Sequence, residues 1–225
     1  MAESQKNREL SALRPKKKTT FAKGETETNA AAFLPNGRNL ILARGNGAIE
    51  SWKLPSGDLD LANSDSQIEA KLVVPTIDGT TLFTQQCDSS LRRLDAKTLK
   101  ELNRIETPKS ISSVEHIAVS PDGSLCAISG YGHVAIVKSD TGEVIHEEPH
   151  HHHGQFTPDG QRLVTAMESE RGGKESTLRI RNVADWSLVV ETNSVRRVFS
   201  LAITPNGRWL FVVAPSGLLK AELPE

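Results

Sequence analysis

Four consecutive histidines, His150 to His153, are the residues of this chain best suited to direct chemistry. Imidazole nitrogens bind zinc, nickel and copper, and a Glu-Glu pair just upstream offers carboxylates as well. In an extended segment alternate residues point the same way, so His151 and His153 are expected to share one face. Two ligands are too few for a metal site, and His133 on a neighbouring loop is a further candidate.

Residue patterns typical of catalysis are not found in the sequence. It contains no Gly-x-Ser-x-Gly elbow, no glycine-rich phosphate loop and no metalloprotease helix motif. Glu147 and Glu148 are adjacent, whereas acid–base catalysis needs two carboxylates in different environments across a cleft. We therefore predict no enzymatic activity and no cofactor.

The elements that must position these side chains repeat along the chain. A phrase that ends in Asn-Gly or Asp-Gly occurs five times, at Phe33–Gly37, Pro75–Gly79, Val119–Gly123, Phe156–Gly160 and Ile203–Gly207. Its glycines are spaced 42, 44, 37 and 47 residues apart. This spacing brackets the roughly 40–45 residues of a four-stranded propeller blade. His116 and His153 occupy the same position in two of these units, which favours a structural hydrogen-bonding role for His153.

Each unit consists of short apolar runs separated by turn residues. Proline presets φ for a tight turn, Asn and Asp tolerate a left-handed backbone, and Gly supplies a positive φ. Ile117–Val119 before the turn and Leu40–Leu42 after it are examples of the flanking runs, which predict a β-hairpin. Two further turns and two further runs follow, so each unit is predicted to contain four antiparallel strands.

Two phrases carry a resemblance to a known family. Ser-Pro-Asp-Gly-Ser-Leu at residues 120–125 and Asn-Gly-Ala-Ile-Glu-Ser-Trp-Lys-Leu at residues 46–54 resemble the WD repeat. The Trp-Asp position reads Trp52-Lys53 in the first unit and Leu94-Asp95 in the second, so the chain resembles a degenerate member. The resemblance implies an all-β fold, a β-propeller of about five four-stranded antiparallel blades.

The sequence divides into a basic segment, residues 1–18, and a propeller, residues 19–225. Six Lys and Arg oppose two Glu in the basic segment, which we interpret as a solvated tail with at most weak affinity for nucleic acid. Unit five lacks an outer strand, and Thr19–Lys23 is a strand without a blade. We therefore predict that the N-terminus completes the last blade and closes the ring. A partial propeller that completes itself by assembly with another chain is the alternative.

The composition is that of an average globular domain. Hydrophobic residues make up 37% and charged residues 24%, and a net charge of −1 gives no global field for nucleic acid or membrane. No run approaches the ~20 apolar residues of a membrane span, and the N-terminus lacks the apolar stretch of a signal peptide. Cys87 and Cys126 lie in different units and are interpreted as reduced residues. We predict a cytoplasmic protein without membrane contact.

The resemblance and the lack of catalytic motifs favour a non-catalytic protein–protein interaction scaffold of the WD-repeat type. We expect the partner on the loop face opposite the Asp-Gly turns, around the central channel, because Tyr and Arg often carry interface energy. The predicted partner-binding residues are Tyr131, His133, His151, His153, Arg171, Arg196 and Arg197. The alternative is a propeller that binds a small ligand or a transition metal at the channel mouth, with His151 and His153 as the metal candidates.

Overall fold

The chain is all-β, as its sequence predicts. A computed structural model describes residues 26–65, 67–167, 176–195 and 198–224. These residues form nineteen β-strands, and no helix among them could cross a membrane. The basic segment and the predicted strand Thr19–Lys23 lie outside the described residues, so the completion of the last blade by the N-terminus stays a prediction.

The nineteen strands form five antiparallel sheets, the blades, and within each blade the strands follow one another in chain order. Blades one and two comprise β1 (Thr28–Phe33), β2 (Asn39–Arg44), β3 (Ile49–Lys53) and β4 (Leu59–Asn63), then β5 (Ala70–Pro75), β6 (Thr81–Gln86), β7 (Ser90–Asp95) and β8 (Glu101–Glu106). Blade three comprises β9 (Val114–Val119), β10 (Leu125–Gly130), β11 (His133–Lys138) and β12 (Val144–Pro149). Blades four and five comprise β13 (His151–Phe156), β14 (Arg162–Met167), β15 (Ser176–Asn182) and β16 (Leu188–Val195), then β17 (Ser200–Ile203), β18 (Trp209–Ala214) and β19 (Gly217–Glu222).

The first strands of successive blades lie side by side. β1 packs against β5, β5 against β9, β9 against β13, and β13 against β17. This arrangement of repeated sheets around their first strands is that of a β-propeller with about five blades, so the predicted fold is confirmed. Blade five contributes three strands to the described part of the chain.

The turns with Asp-Gly, or Asn-Gly in blades one and five, join the first and second strands of each blade, and we call them all Asp-Gly turns. In blade four, Gly160 has a φ of +72° and its N–H donates to the carbonyl of Thr157 at 2.9 Å. Asp159 accepts hydrogen bonds from the Thr157 hydroxyl and from the N–H of Gln161. The hydroxyl bond is the main reason why the pKa of Asp159 lies below its usual range. Hydrogen bonds between side chains and backbone within five residues therefore specify the turn. This is why the turn can be predicted from the sequence.

Apolar residues occur on both faces of the blades. We call the face toward the next blade along the chain the leading face, and the face toward the preceding blade the trailing face. Four clusters of buried residues fill the four contacts between consecutive blades of the described chain. Between blades four and five, for example, Val164 and Leu178 pack against Leu210 and Val212. The core is thus a series of layers between sheets.

A ring closed within one chain requires blades one and five to cover each other. Phe33, on the trailing face of blade one, is 64% exposed, and Leu218, on the leading face of blade five, is 66% exposed. The two end blades therefore do not bury each other in the described part of the chain, and the predicted closed ring is not observed there.

Asp159→Ala should lower the free energy of unfolding by about 1–2 kcal/mol, because two hydrogen bonds of the turn lose their acceptor. Asp159→Asn is the matched control, since Asn36 and Asn206 occupy the same position in blades one and five. Urea denaturation followed by circular dichroism measures both. Equal losses in the two variants would contradict the hydrogen-bond explanation of the turn.

Candidate functional site

The histidine run lies at the junction of blades three and four. β12 ends at Pro149 and β13 begins at His151, so His150 alone links the two blades. His150 has a φ of +66°, and its N–H donates to the carbonyl of Gly132 at 2.7 Å. Gly132 belongs to the turn between β10 and β11, at the end of the strands away from the Asp-Gly turns. The run is therefore on the predicted loop face.

A β-bulge at the start of β13 separates the side chains of the run. His151 pairs with Met167 and His153 with Ala166, so His152 is an extra residue in the ladder. The bulge breaks the strict alternation of an extended strand. His151 is consequently buried between blades, whereas His152 and His153 both line a cavity on the loop face. The expectation that His151 and His153 share one face is wrong.

The carboxylate of Glu148 is the centre of a buried ionic cluster that joins blades three and four. Glu148 lies on β12 and contacts the guanidinium of Arg181 directly, while Arg179 Nη1 lies 3.5 Å away. His146 Nε2 is 2.7 Å and His151 Nε2 is 3.7 Å from the same carboxylate. Because both arginines are on β15, the cluster ties the outer strand of one blade to the third strand of the next.

The cluster fixes the protonation state of its members. Burial raises the pKa of Glu148, but the hydrogen bonds with His146 and Arg181 outweigh burial and leave it below its ordinary value. For His151, burial lowers the pKa to about 4, and the neighbouring Arg179 and Arg181 add to the effect against the opposing charge of Glu148. His151 is therefore a neutral, structural imidazole at neutral pH.

The ring of His146 anchors the same junction by stacking. It lies parallel to the indole of Trp186, with 4.4 Å between the ring centroids and 4° between the planes. Arg181 Nη1 donates to the carbonyl of Trp186 at 3.0 Å, so this turn of blade four is held to the ionic cluster at two points. The Glu-Glu pair of the sequence is thus divided between roles, with Glu148 in the cluster and Glu147 near His133, 3.3 Å from its Nε2.

Beside the cluster, the loop face contains a cavity of about 210 Å³, which we call the channel-mouth cavity. Its walls come from β9, the turn before β11, β13, the end of β14 and the segment before β17. The lining residues are Glu115, Tyr131, His152, His153, Ala166, Met167, Val198 and Phe199. Tyr131 is 70% exposed and Phe199 is 50% exposed, so two aromatic rings of the lining are accessible to solvent.

The imidazoles around the cavity are held by their neighbours. His152 meets the Tyr131 ring edge to face at 5.6 Å, and its Nδ1 accepts from the N–H of Gly132 at 3.2 Å. His153 and His116 meet edge to face at 6.2 Å. Burial, and then the proximity of a second imidazole, lowers the pKa of both His116 and His153. The lowered pKa favours the neutral form of both rings.

The structure brings together some of the residues that the sequence proposed for partner binding. Tyr131 and His153 line the channel-mouth cavity, while His133 lies outside its lining. His151 is fully buried, so a direct contact with a partner is excluded in this conformation. Arg171, Arg196 and Arg197 lie outside the described residues.

The metal hypothesis loses its geometric basis. The bulge sends His151 and His153 to opposite sides of β13, and His151 is occupied by the Glu148 cluster. Within residues 26–65, 67–167, 176–195 and 198–224, no group of three or more His, Cys, Asp or Glu is arranged to hold a metal ion. Within this part of the chain, His151 and His153 therefore do not form a metal site with each other.

Sequence reasoning missed His152, Phe199 and the apolar wall of the cavity. Strict alternation along the strand assigns His152 to the side opposite His151 and His153. Phe199 is an isolated aromatic residue in a link between blades, and its exposure was the signal that only a structure could supply.

Comparisons with known proteins agree with the fold. No family model matches the sequence. Transducin-like enhancer protein 2 of Mus musculus, a WD-repeat protein, is 24% identical over 205 residues, which are 86% of this chain and 25% of that protein. The solved structure of Kuenenia stuttgartiensis hydrazine synthase matches with a TM-score of 0.67 and 16% identity over 87% of this chain and 58% of that one. The fold is that of a β-propeller. The chain spans only about a quarter of its curated relative, and the similarity supports a propeller family without confirming a degenerate WD repeat.

Glu148→Ala should lower the free energy of unfolding by about 3 kcal/mol, because the two arginines lose a buried counter-charge. Glu191→Ala is the matched control: Glu191 pairs with Arg179 at 2.6 Å but is exposed, so its loss should cost less than about 1 kcal/mol. Chemical denaturation measures both variants. A Glu148 variant as stable as the Glu191 variant would show that the cluster does not stabilise the junction.

His151 makes stability depend on pH. The pKa of His151 falls from 6.5 to about 4 on folding. Between these two pH values the imidazole is protonated in the unfolded chain and neutral in the folded chain. The contribution of His151 to stability is therefore complete above pH 6.5 and declines as the pH falls toward 4, by roughly 3 kcal/mol at about 1.4 kcal/mol per pKa unit. His151→Gln should make this decline shallower without abolishing it, because His116 and His153 also have lowered pKa values. Denaturation curves across this pH range measure the slopes.

Proposed function

We propose that this chain is a non-catalytic interaction propeller that binds a partner protein at the channel-mouth cavity. The observation that carries the proposal is the pairing of a small cavity with two exposed aromatic rings, Tyr131 and Phe199, on the loop face. Aromatic residues beside well-packed cavities are typical anchors of protein interfaces. The weak similarity to a WD-repeat protein supports an interaction propeller as the general class.

The size of the cavity favours a protein side chain over a small molecule. Pockets for drug-sized ligands and cofactors usually measure roughly 300–1,000 Å³. At about 210 Å³ the channel-mouth cavity is smaller and fits one inserted side chain. Ala166, Met167 and Val198 provide apolar contacts and Glu115, His152 and His153 provide polar ones, so the inserted side chain should combine an apolar part with a polar group.

The polar groups of the cavity define how the partner is oriented. His153 is neutral at neutral pH and provides hydrogen-bonding nitrogens without a charge. Glu115 is the acidic residue of the lining, and it is exposed. A partner segment with a basic residue beside its apolar anchor would complement this arrangement, while the contact as a whole should depend only weakly on salt.

A cytoplasmic location is part of the proposal. Cys87 and Cys126 are both free thiols, and Cys126 is buried, which raises its pKa to about 12. Reduced cysteines in separate blades are consistent with a reducing compartment. The similarity to known proteins does not favour the small-ligand or metal-binding alternative over the interaction propeller.

Site-specific photo-crosslinking tests the proposal. A photo-reactive amino acid replaces Tyr131 in one variant and Leu102 in a control, because Leu102 is also an exposed apolar residue but lies on the outer strand β8. Crosslinks to one protein are expected at position 131 and not at position 102. The crosslinked protein is then purified, and its affinity for the unmodified chain and for Tyr131→Ala and Phe199→Ala is measured by calorimetry.

Each alanine substitution should weaken binding by about ten-fold or more, as expected for an interface anchor. Leu102→Ala should bind like the unmodified chain. Equal affinity of all three variants, or crosslinking at position 102 alone, would place the partner elsewhere on the propeller and overturn the proposed site.

A further inference from the structure

The four contacts between consecutive blades are built in one way. The leading face of one blade packs on the trailing face of the next, and apolar residues of both faces share a single buried cluster. At each of these four contacts, a leading face therefore packs against a trailing face, and we call the two faces mates. Blade one has a trailing face and blade five a leading face for which the chain itself supplies no such mate among the described residues.

Phe33 and Phe156 show what the trailing face of blade one lacks. Both are the residue two positions before the turn proline, in blades one and four respectively. Phe156 is 3% exposed, because Ala127 and Ile136 of blade three pack over it. Phe33 is 64% exposed at the same place in the repeat. The trailing face of blade one is thus open around Phe33, whereas Leu42, elsewhere on the same face, is buried.

The leading face of blade five shows the same contrast. Leu218 on β19 is paired with Val213 on the adjacent strand β18. Leu178 and Ala166 form the equivalent pair in blade four. Leu178 is 6% exposed and Ala166 is buried, since blade five covers both. Leu218 is 66% exposed, and Val213 is exposed as well. An apolar pair that the repeat normally buries is therefore open to solvent.

The turn glycines give independent evidence for the same uncovered ends. A Cβ placed on Gly79, Gly160 or Gly207 would lie within 3.2, 3.4 or 3.7 Å of the proline ring in the preceding blade's turn. A Cβ on Gly37 would meet nothing within 4 Å. In a ring closed within one chain, Gly37 would be expected to lie against Pro205 of blade five. The turns of blades one and five are therefore not in the contact that the other consecutive turns make.

We propose that a second copy of this chain covers the two open faces. The leading face of blade five in one copy packs on the trailing face of blade one in the other, by the same contact that joins blades within the chain. A second copy is the occupant that the structure favours, because it carries both mates with the required apolar residues. The contact joins two different surfaces, so it either closes into a ring or continues from copy to copy. The proposal does not depend on the channel-mouth cavity.

Sedimentation velocity of the full chain at several concentrations tests the assembly. The unmodified protein should have a mass of two or more times the 24.5 kDa of one chain. Phe33→Glu destroys the trailing face of blade one, and Leu218→Glu destroys the leading face of blade five. Each variant alone should be monomeric, because every pair of molecules then lacks one of the two mates. Leu102→Glu, at an exposed residue of β8, should assemble like the unmodified protein.

Mixing the two variants makes the test specific for this contact. Phe33→Glu retains an intact blade five and Leu218→Glu an intact blade one, so an equimolar mixture should form one-to-one dimers and nothing larger. Circular dichroism should show that each variant remains folded, since both residues are exposed. A monomeric unmodified protein, assembly that survives both substitutions, or a mixture that stays monomeric would each overturn the proposal.

Discussion

The packing of sheet on sheet is the interaction on which the rest of this structure depends. The second strands of the inner blades are buried on both faces, and β6 is buried along its whole length. A single four-stranded sheet with two apolar faces is not stable in water, so each blade needs a neighbour on either side. The repeated sequence supplies such neighbours within one chain. The four buried clusters between consecutive blades are the resulting contacts.

The same packing determines where charge can be placed. A carboxylate between two blades loses its hydration, so it must be compensated by charges and hydrogen bonds within the junction. Glu148 is compensated by Arg181, Arg179 and His146, and the result is a polar tie between blades three and four. His151 shares this environment and is kept neutral by it. Glu148 and His151, whose residue types are typical of exposed reactive sites, are therefore part of the interior.

The channel-mouth cavity follows from one local departure from regular pairing. Without the bulge at His152, His151 and His153 would point to the same side of β13. With it, His152 and His153 line the loop face together, next to Tyr131 and Phe199. The bulge thus divides three adjacent histidines between a buried junction, His151, and an accessible cavity, His152 and His153. The uncovered faces of blades one and five come from the opposite cause, the lack of a neighbour among the described residues.

The sequence by itself determined the blades, their number and their turns, because these depend on local patterns. Asp159, Thr157 and Gly160 form their turn within a few residues, and period-two apolar runs specify strands wherever they occur. Only the tertiary structure decided the roles of the histidines and the fate of the end blades. The bulge at His152 and the burial of Glu148 depend on partners on other strands and blades. Phe33 and Phe156 occupy the same position in the repeat but differ in exposure. Blade three covers Phe156, and the local sequence does not determine this difference.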